Sequence, residues 1–111
     1  MPAFAGDKPG ILIHGGFYKG IDFLDSFTDA QKRIYVTGHI NGMLLSPLFG
    51  ASPKKVRVLG DCITGMTDIQ ISLILTKYLN EHPEQLNEGL HILMYRAIKG
   101  ACTKKGYSFN P

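Results

Sequence analysis

Cys62 and Cys102 are the side chains of this chain best suited to chemistry. They allow either one disulfide bond, which would imply an oxidising compartment, or two buried thiols. A cysteine nucleophile would need a histidine that is oriented by a third group. Both cysteines instead flank predicted helices, in a way that suits cross-linking better. A bridge between them would close a loop of about 40 residues and contribute roughly 4 kcal/mol to stability in the chain-entropy model.

The histidines do not form a recognisable metal motif. They are scattered along the chain, and no two of them share a predicted helix face: His14, His39, His82 and His91. A metal site needs ligands at close, repeated spacing, so we expect none here. Gly15-Gly16 lacks the further glycine, lysine and hydroxyl residue of a phosphate-binding loop.

Length and composition describe one small folded domain. The chain has 111 residues, of which 44% are hydrophobic, and a formal net charge of +3. This excludes large catalytic folds and a disordered chain. No apolar run approaches the ~18 residues of a membrane span, so no membrane insertion is expected. The mild basic charge permits nucleic-acid binding without requiring it, and the last helix carries few side chains able to read bases.

Three helices with clear start signals must position these residues. The capping box Thr28-Asp29-Ala30-Gln31 begins a helix that runs to about Ser46, where Pro47 stops it. The same pattern from Thr67 to Gln70 begins a second helix over about 68–81, and a third covers about 87–101. Pro53 and residues 83–86 are typical of short helical turns. The sequence therefore predicts an all-α fold, a small bundle of three main helices.

The remaining segments set the domain limits. Residues 1–10 read as a flexible N-terminal segment, and residues 11–25 as an extended arm or a short hairpin. The single helical domain covers 11–102, and residues 103–111 form a solvated tail.

The segment 46–57 joins the first two helices and holds the candidate binding residues. Pro47, Leu48 and Phe49 are followed by Lys54, Lys55 and Arg57. The apolar pair is either tucked into the core or offered to a partner. The cations, predicted to lie on a loop, are either solvated charge or a patch that meets an acidic partner.

Gly38 and Gly42 lie four residues apart on one face of the first helix. Each glycine costs a helix interior roughly 1 kcal/mol relative to alanine. We therefore predict that another backbone packs closely over this face, either from the same chain or across a dimer. Leucine at position 38 should disrupt that contact.

Ala3-Phe4-Ala5 has the small-x-small pattern of a signal-peptidase site, but no basic or apolar region precedes it. One interpretation is that a signal peptide, absent from this chain, directs export. The alternative is an ordinary frayed N terminus.

Several segments in order resemble the Rap/Tai family of small immunity proteins, which is associated with type VI secretion. The opening, residues 18–50, contains an aromatic–leucine segment and then Tyr35-Val36-Thr37-Gly38 with Gly42. Asn41 departs from the family, in which an acidic residue is common before the second glycine. The middle and the end match at scattered positions: Cys62-Ile63, Thr67, Gln70, Lys77-Tyr78-Leu79, His82-Pro83-Glu84, Ala97 and Cys102.

The resemblance implies an exported, periplasmic, helical homodimer in which Cys62 and Cys102 pair. It also implies that the protein is not an enzyme and has no cofactor, metal or catalytic residue. Its role would be to bind and block a peptidoglycan-cleaving amidase effector, by a loop that fills the active-site groove. From the sequence we assign that loop to residues 46–57.

Two other functions stay open. The first is a periplasmic helical protein of another role, such as an envelope-stress or assembly factor, that shares only the scaffold. The second is an intracellular nucleic-acid binder, which would have free thiols and salt-sensitive binding; the resemblance argues against it.

Overall fold

The computed structural model describes residues 10–110, and in this range the chain forms five α-helices and no sheet. Two 3₁₀ turns, Ser46–Phe49 and Pro83–Gln85, connect some of them. The prediction of a small all-α fold is confirmed. The helices are α1 (Gly20–Asp25), α2 (Asp29–Leu45), α3 (Pro53–Ile63), α4 (Asp68–Glu81) and α5 (Leu90–Lys104).

The threonine caps begin α2 and α4 where the sequence predicts. The Thr28 hydroxyl accepts a hydrogen bond from the Gln31 backbone N–H at 3.1 Å, and the Gln31 side chain accepts one from the Thr28 N–H at 2.9 Å. The Thr67 hydroxyl accepts from the Gln70 N–H at 3.1 Å, without a bond in return from the Gln70 side chain. These bonds satisfy N–H groups that a helix start leaves without partners.

Residues 11–25 form an arm followed by α1, not a hairpin. The arm, residues 11–18, has no strand partner, and Lys19 makes one isolated bridge to Gly89. The helix forms because the Asp22 carboxylate accepts a hydrogen bond from the Lys19 N–H at 2.8 Å and because Phe23 is fully buried in the core. The contact between the end of the arm and the residues before α5 also shifts the start of α5. The Leu90 N–H donates to the Tyr18 carbonyl, so α5 begins only at Leu90. The predicted start at residue 87 is therefore three residues too early.

The segment after Pro47 is more helical than predicted. Ser52 and Pro53 do begin a helix, but α3 continues to Ile63 instead of ending after one turn. Its inner face explains the length, because Leu59, Cys62 and Ile63 are buried in the core.

The C-terminal segment returns to the protein instead of remaining wholly in solvent. Thr103 and Lys104 belong to α5, and Phe109 is only 8% exposed. The Tyr107 N–H donates to the Cys102 carbonyl at 3.1 Å, which turns the chain back after the helix. The prediction of a solvated tail is wrong at Phe109, because an aromatic side chain beside an apolar core is more stable buried.

Cys62 and Cys102 are joined at disulfide distance, with their sulfurs 2.06 Å apart and their Cα atoms 5.9 Å apart. Both are almost fully buried. The pairing implied by the family resemblance is confirmed. The bridge fastens α3 to the last turn of α5, and the buried side chains of all five helices form one hydrophobic cluster around it.

Candidate functional site

The 3₁₀ turn Ser46–Phe49 projects two large apolar side chains into solvent. Leu48 is 77% exposed and Phe49 is 84% exposed. Of the two alternatives, burial in the core is wrong. The turn is tight because Pro47 ends α2 and because the Gly50 N–H donates back to the Pro47 carbonyl at 3.1 Å. Gly50 has a φ of +99°, a left-handed conformation that glycine adopts without strain.

Leu44 and Leu45, at the end of α2, are also exposed. We call Leu44, Leu45, Leu48 and Phe49 the apolar turn. Single exposed apolar residues are common on protein surfaces, but several together mark a surface that binds something. The apolar turn is therefore the first element of the candidate site.

Lys54, Lys55 and Arg57 follow on the first turns of α3, and all three are exposed. The prediction that they lie on a loop is wrong, because the Ser52 hydroxyl caps the helix by accepting from the Lys55 N–H. Cations at the N-terminal end of a helix are opposed by the helix dipole. These side chains also form no ion pair with any residue in the range 10–110. The stability of α3 therefore does not explain why three cations stand at its N-terminal end.

A concave pocket lies beside the apolar turn, between the end of α2, residues 46–52, α3, α5 and the C-terminal segment. We call it the turn pocket. Its volume is about 310 Å³, and its walls are mainly apolar, formed by Met43, Val56, Leu59, Tyr95 and Phe109. Sequence reasoning missed it, because its walls come from segments far apart in the chain and only the fold brings them together.

Gly38 and Gly42 do not pack closely against another segment of residues 10–110. A Cβ atom added at either position would meet no heavy atom within 4 Å among the described residues. Close packing against another segment of residues 10–110 is therefore wrong at both positions. Packing across a dimer stays a prediction.

Gly38 instead lines an open hollow along α2 that reaches Asp68, and Arg33 lines both this hollow and a second one between α2 and α4; we call the two together the α2–α4 groove. Ile34 and Leu73 border it, 72% and 64% exposed. Arg33 lines it together with Asp29 and Asp68, yet forms no ion pair with either. This is a second exposed apolar surface, and its charges are of both signs.

His39 is a half-buried residue that the sequence analysis considered only as a metal ligand. Its Nε2 lies 3.0 Å from the backbone carbonyl oxygen of His91, to which it donates a hydrogen bond. Its Nδ1 is buried and has no partner among the described residues. Burial lowers the pKa of His39, and the nearby His91 side chain adds to that effect. The neutral imidazole is thus the form that fits this position.

Residues 10–110 contain neither a cluster of metal-ligating side chains nor a single helix that could span a membrane. Within residues 10–110, no group of three or more histidine, cysteine, aspartate or glutamate side chains lies close enough to hold a metal ion. No single helix of that range is long and apolar enough to cross a bilayer; α3 and α4 reach the length and composition only together, across a bend of 109°.

Comparisons with known proteins add no relative. Neither the scan of protein-family models nor the searches of curated proteins and of solved structures find a match. Over residues 10–110, the fold and the site define a small all-α domain with one cysteine bridge and with exposed apolar side chains at the apolar turn, along the α2–α4 groove and on the N-terminal arm.

Proposed function

We propose that this chain is a periplasmic immunity protein that binds and blocks a peptidoglycan-cleaving amidase effector of a type VI secretion system. The observation that carries the proposal is the exposure of Leu48 and Phe49 on a turn held between two helices. The ordered resemblance to the Rap/Tai family supplies the class of partner. The buried cysteine bridge is consistent with the oxidising periplasm.

The mechanism is steric. The apolar turn enters the substrate groove of the amidase and excludes peptidoglycan from it. The turn is stiff because α2 and α3 flank it, and α3 is fastened to α5 through Cys62 and Cys102. A loop that is already ordered loses less conformational entropy on binding, which favours affinity. Lys54, Lys55 and Arg57 accelerate the encounter if the groove is acidic.

The homodimer implied by the resemblance belongs to the same proposal. We assign its interface to the α2–α4 groove, with a second copy of this chain as the occupant. In a two-fold dimer the same patch meets itself, so Arg33 of one copy can face Asp29 or Asp68 of the other. Gly38 permits the two helices to approach closely, because no Cβ atom stands between them.

The decisive experiment is inhibition of a type VI amidase effector, sought first among the genes beside the gene for this chain. Purified, oxidised protein is mixed with the effector at equal molar amounts, and release of soluble fragments from peptidoglycan sacculi is followed. The expected result is loss of hydrolysis. Phe49→Ala and Leu48→Ala should weaken inhibition at least tenfold, since each removes an exposed apolar side chain from the turn.

Leu12→Ala is the matched control. Leu12 is 73% exposed but lies on the N-terminal arm, away from the apolar turn, so its removal should leave inhibition unchanged. An effector that stays fully active with the wild-type protein would contradict the proposal. Equal losses for Leu12→Ala and Phe49→Ala would contradict the assignment of the turn.

A further inference from the structure

The turn pocket has no role in the steric mechanism described above. Leu48 and Phe49 project outward, whereas the pocket is concave and opens beside them. Five of its lining residues belong to the same segment 46–57: Ser46, Ala51, Ser52, Lys55 and Val56. The pocket therefore begins at Ser46, the first residue of the turn that carries Leu48 and Phe49, although neither of those side chains lines it.

The walls of the turn pocket leave little for a polar ligand to bind. The Ser46 hydroxyl already donates to the Met43 carbonyl, and the Ser52 hydroxyl accepts from the Lys55 backbone N–H. Besides Ala51 and Lys55, the other walls are the apolar and aromatic side chains named above. A large apolar group is thus the chemistry that the interior accepts.

The surroundings of the turn pocket are positive. Lys55 is the one charged residue that lines it. The Lys99 ammonium lies 5.9 Å from the centre of the Tyr95 ring, another wall of the pocket. Lys54 and Arg57 stand on the neighbouring turns of α3. No acidic side chain of residues 10–110 lines the pocket, so the charged groups that a ligand carboxylate meets in this part of the chain are cations.

We infer that the turn pocket receives one large apolar side chain from an acidic segment of the partner protein. The inference rests on the proposed function and specifies the partner's side of that interface. At about 310 Å³ the pocket lies at the small end of ligand-binding clefts, which suits a single side chain. Its continuity with the exposed turn favours a protein segment over a free small molecule, and the cations around it select flanking carboxylates.

The test uses short peptides and does not require the amidase. The probe is an end-blocked peptide with a central phenylalanine flanked by glutamates. Two matched peptides replace the phenylalanine by serine or the glutamates by lysines. Binding to the oxidised full chain is followed by backbone amide shifts in NMR spectra. Only the phenylalanine–glutamate peptide should bind, with the largest shifts at Val56, Leu59 and Phe109.

Two variants locate the binding. Ala51→Leu places a larger side chain in the lining of the pocket and should weaken peptide binding at least fivefold. Lys55→Glu changes an exposed side chain and should weaken binding of the glutamate-flanked peptide severalfold, even if Ala51→Leu proves unstable. Ala30→Leu is the control, because Ala30 lines the α2–α4 groove instead.

Three results would overturn the inference. The serine peptide could bind as tightly as the phenylalanine peptide, or the shifts could be centred outside the pocket. A stronger response to decanoate than to the peptide would identify a free amphiphile as the occupant. The amidase assay separates the two proposals. Peptide binding without amidase inhibition contradicts only the immunity function. Full inhibition by a chain that binds no peptide contradicts only the pocket assignment.

Discussion

The Cα atoms of Cys62 and Cys102 lie 5.9 Å apart although 40 residues separate them in the sequence. Between them run the end of α3, all of α4 and most of α5. The bridge thus fastens the helix that carries Lys54, Lys55 and Arg57 to the helix that contributes Tyr95 to the turn pocket. The geometry of the candidate site depends on this bond, because α3 follows the turn directly.

Removal of the cysteine bridge should lower stability strongly. We expect the double variant Cys62→Ser, Cys102→Ser to lose about 4 kcal/mol of unfolding free energy, because the unfolded chain gains the entropy of an open loop. Urea unfolding under non-reducing conditions measures the loss, and wild-type protein in reductant should show a similar one. An unchanged urea midpoint in both samples would contradict the prediction. Mass spectrometry of alkylated, unreduced protein checks that the thiols are paired.

Gly38→Leu should weaken self-association without destabilising the folded monomer. No atom lies within 4 Å of a Cβ at this position, and leucine is a better helix former than glycine, so the monomer should gain roughly 0.5–1 kcal/mol. The dimer should dissociate, because the new side chain stands in the α2–α4 groove. Light scattering coupled to size-exclusion chromatography measures the oligomeric state.

Gly100→Leu is the control for that variant. Gly100 also has no atom within 4 Å, but it lies on α5, outside the α2–α4 groove. It should raise helix stability similarly and leave the oligomeric state unchanged. A Gly38→Leu protein that dimerises like the wild type would show that the interface lies elsewhere.

His39 should make stability fall in mild acid. Its pKa is lowered in the folded protein by burial, so the unfolded chain binds a proton more readily. Its contribution to stability is complete above the unfolded pKa of about 6.5. That contribution is lost progressively as pH falls from there toward the lower folded pKa.

The variant His39→Gln tests this dependence. A glutamine amide can still donate to the His91 carbonyl, which His39 contacts through Nε2, but it does not titrate. The variant should therefore lose less stability than the wild type between pH 7.5 and pH 5, as measured by urea unfolding at each pH. Equal losses in the two proteins would contradict the assignment to His39.

Thr28→Ala should destabilise the start of α2 by about 1 kcal/mol, the usual cost of removing a threonine cap. The lost bond is the one from the Gln31 N–H to the Thr28 hydroxyl. Thermal unfolding measures the change. Thr37→Ala is the control, since the Thr37 hydroxyl donates to the Arg33 carbonyl within the same exposed helix and caps nothing. A drop for Thr37→Ala as large as that for Thr28→Ala would argue against the cap.

Local signals predicted the parts of this fold that depend on neighbouring residues. The threonine caps predict where α2 and α4 begin, because each cap bond spans only three residues. The prolines predict where these helices end, because proline cannot continue a helix. By contrast, α1 exists because Phe23 is buried by residues far along the chain, and α5 begins late because Leu90 bonds to Tyr18. These causes are tertiary, and no short window of sequence contains them.

The candidate site was predictable to a similar extent. The composition of the segment 46–57 predicts a surface that meets a partner, and the exposure of Leu48 and Phe49 is consistent with that prediction. The turn pocket was not predictable, because Met43, Tyr95 and Phe109 meet only in the folded chain. The open face at Gly38 also needed the structure, since glycines at that spacing fit a packed helix face as well as an open one.

The α2–α4 groove and the turn pocket share no lining residue. Occupation of one therefore leaves the other accessible. A dimer formed through the groove would present two identical pockets, each with its own apolar turn, and would capture two effector molecules in a symmetric two-to-two assembly. Against a target that is itself multivalent, such as an effector held on a surface, the paired sites would add avidity to the affinity of each one.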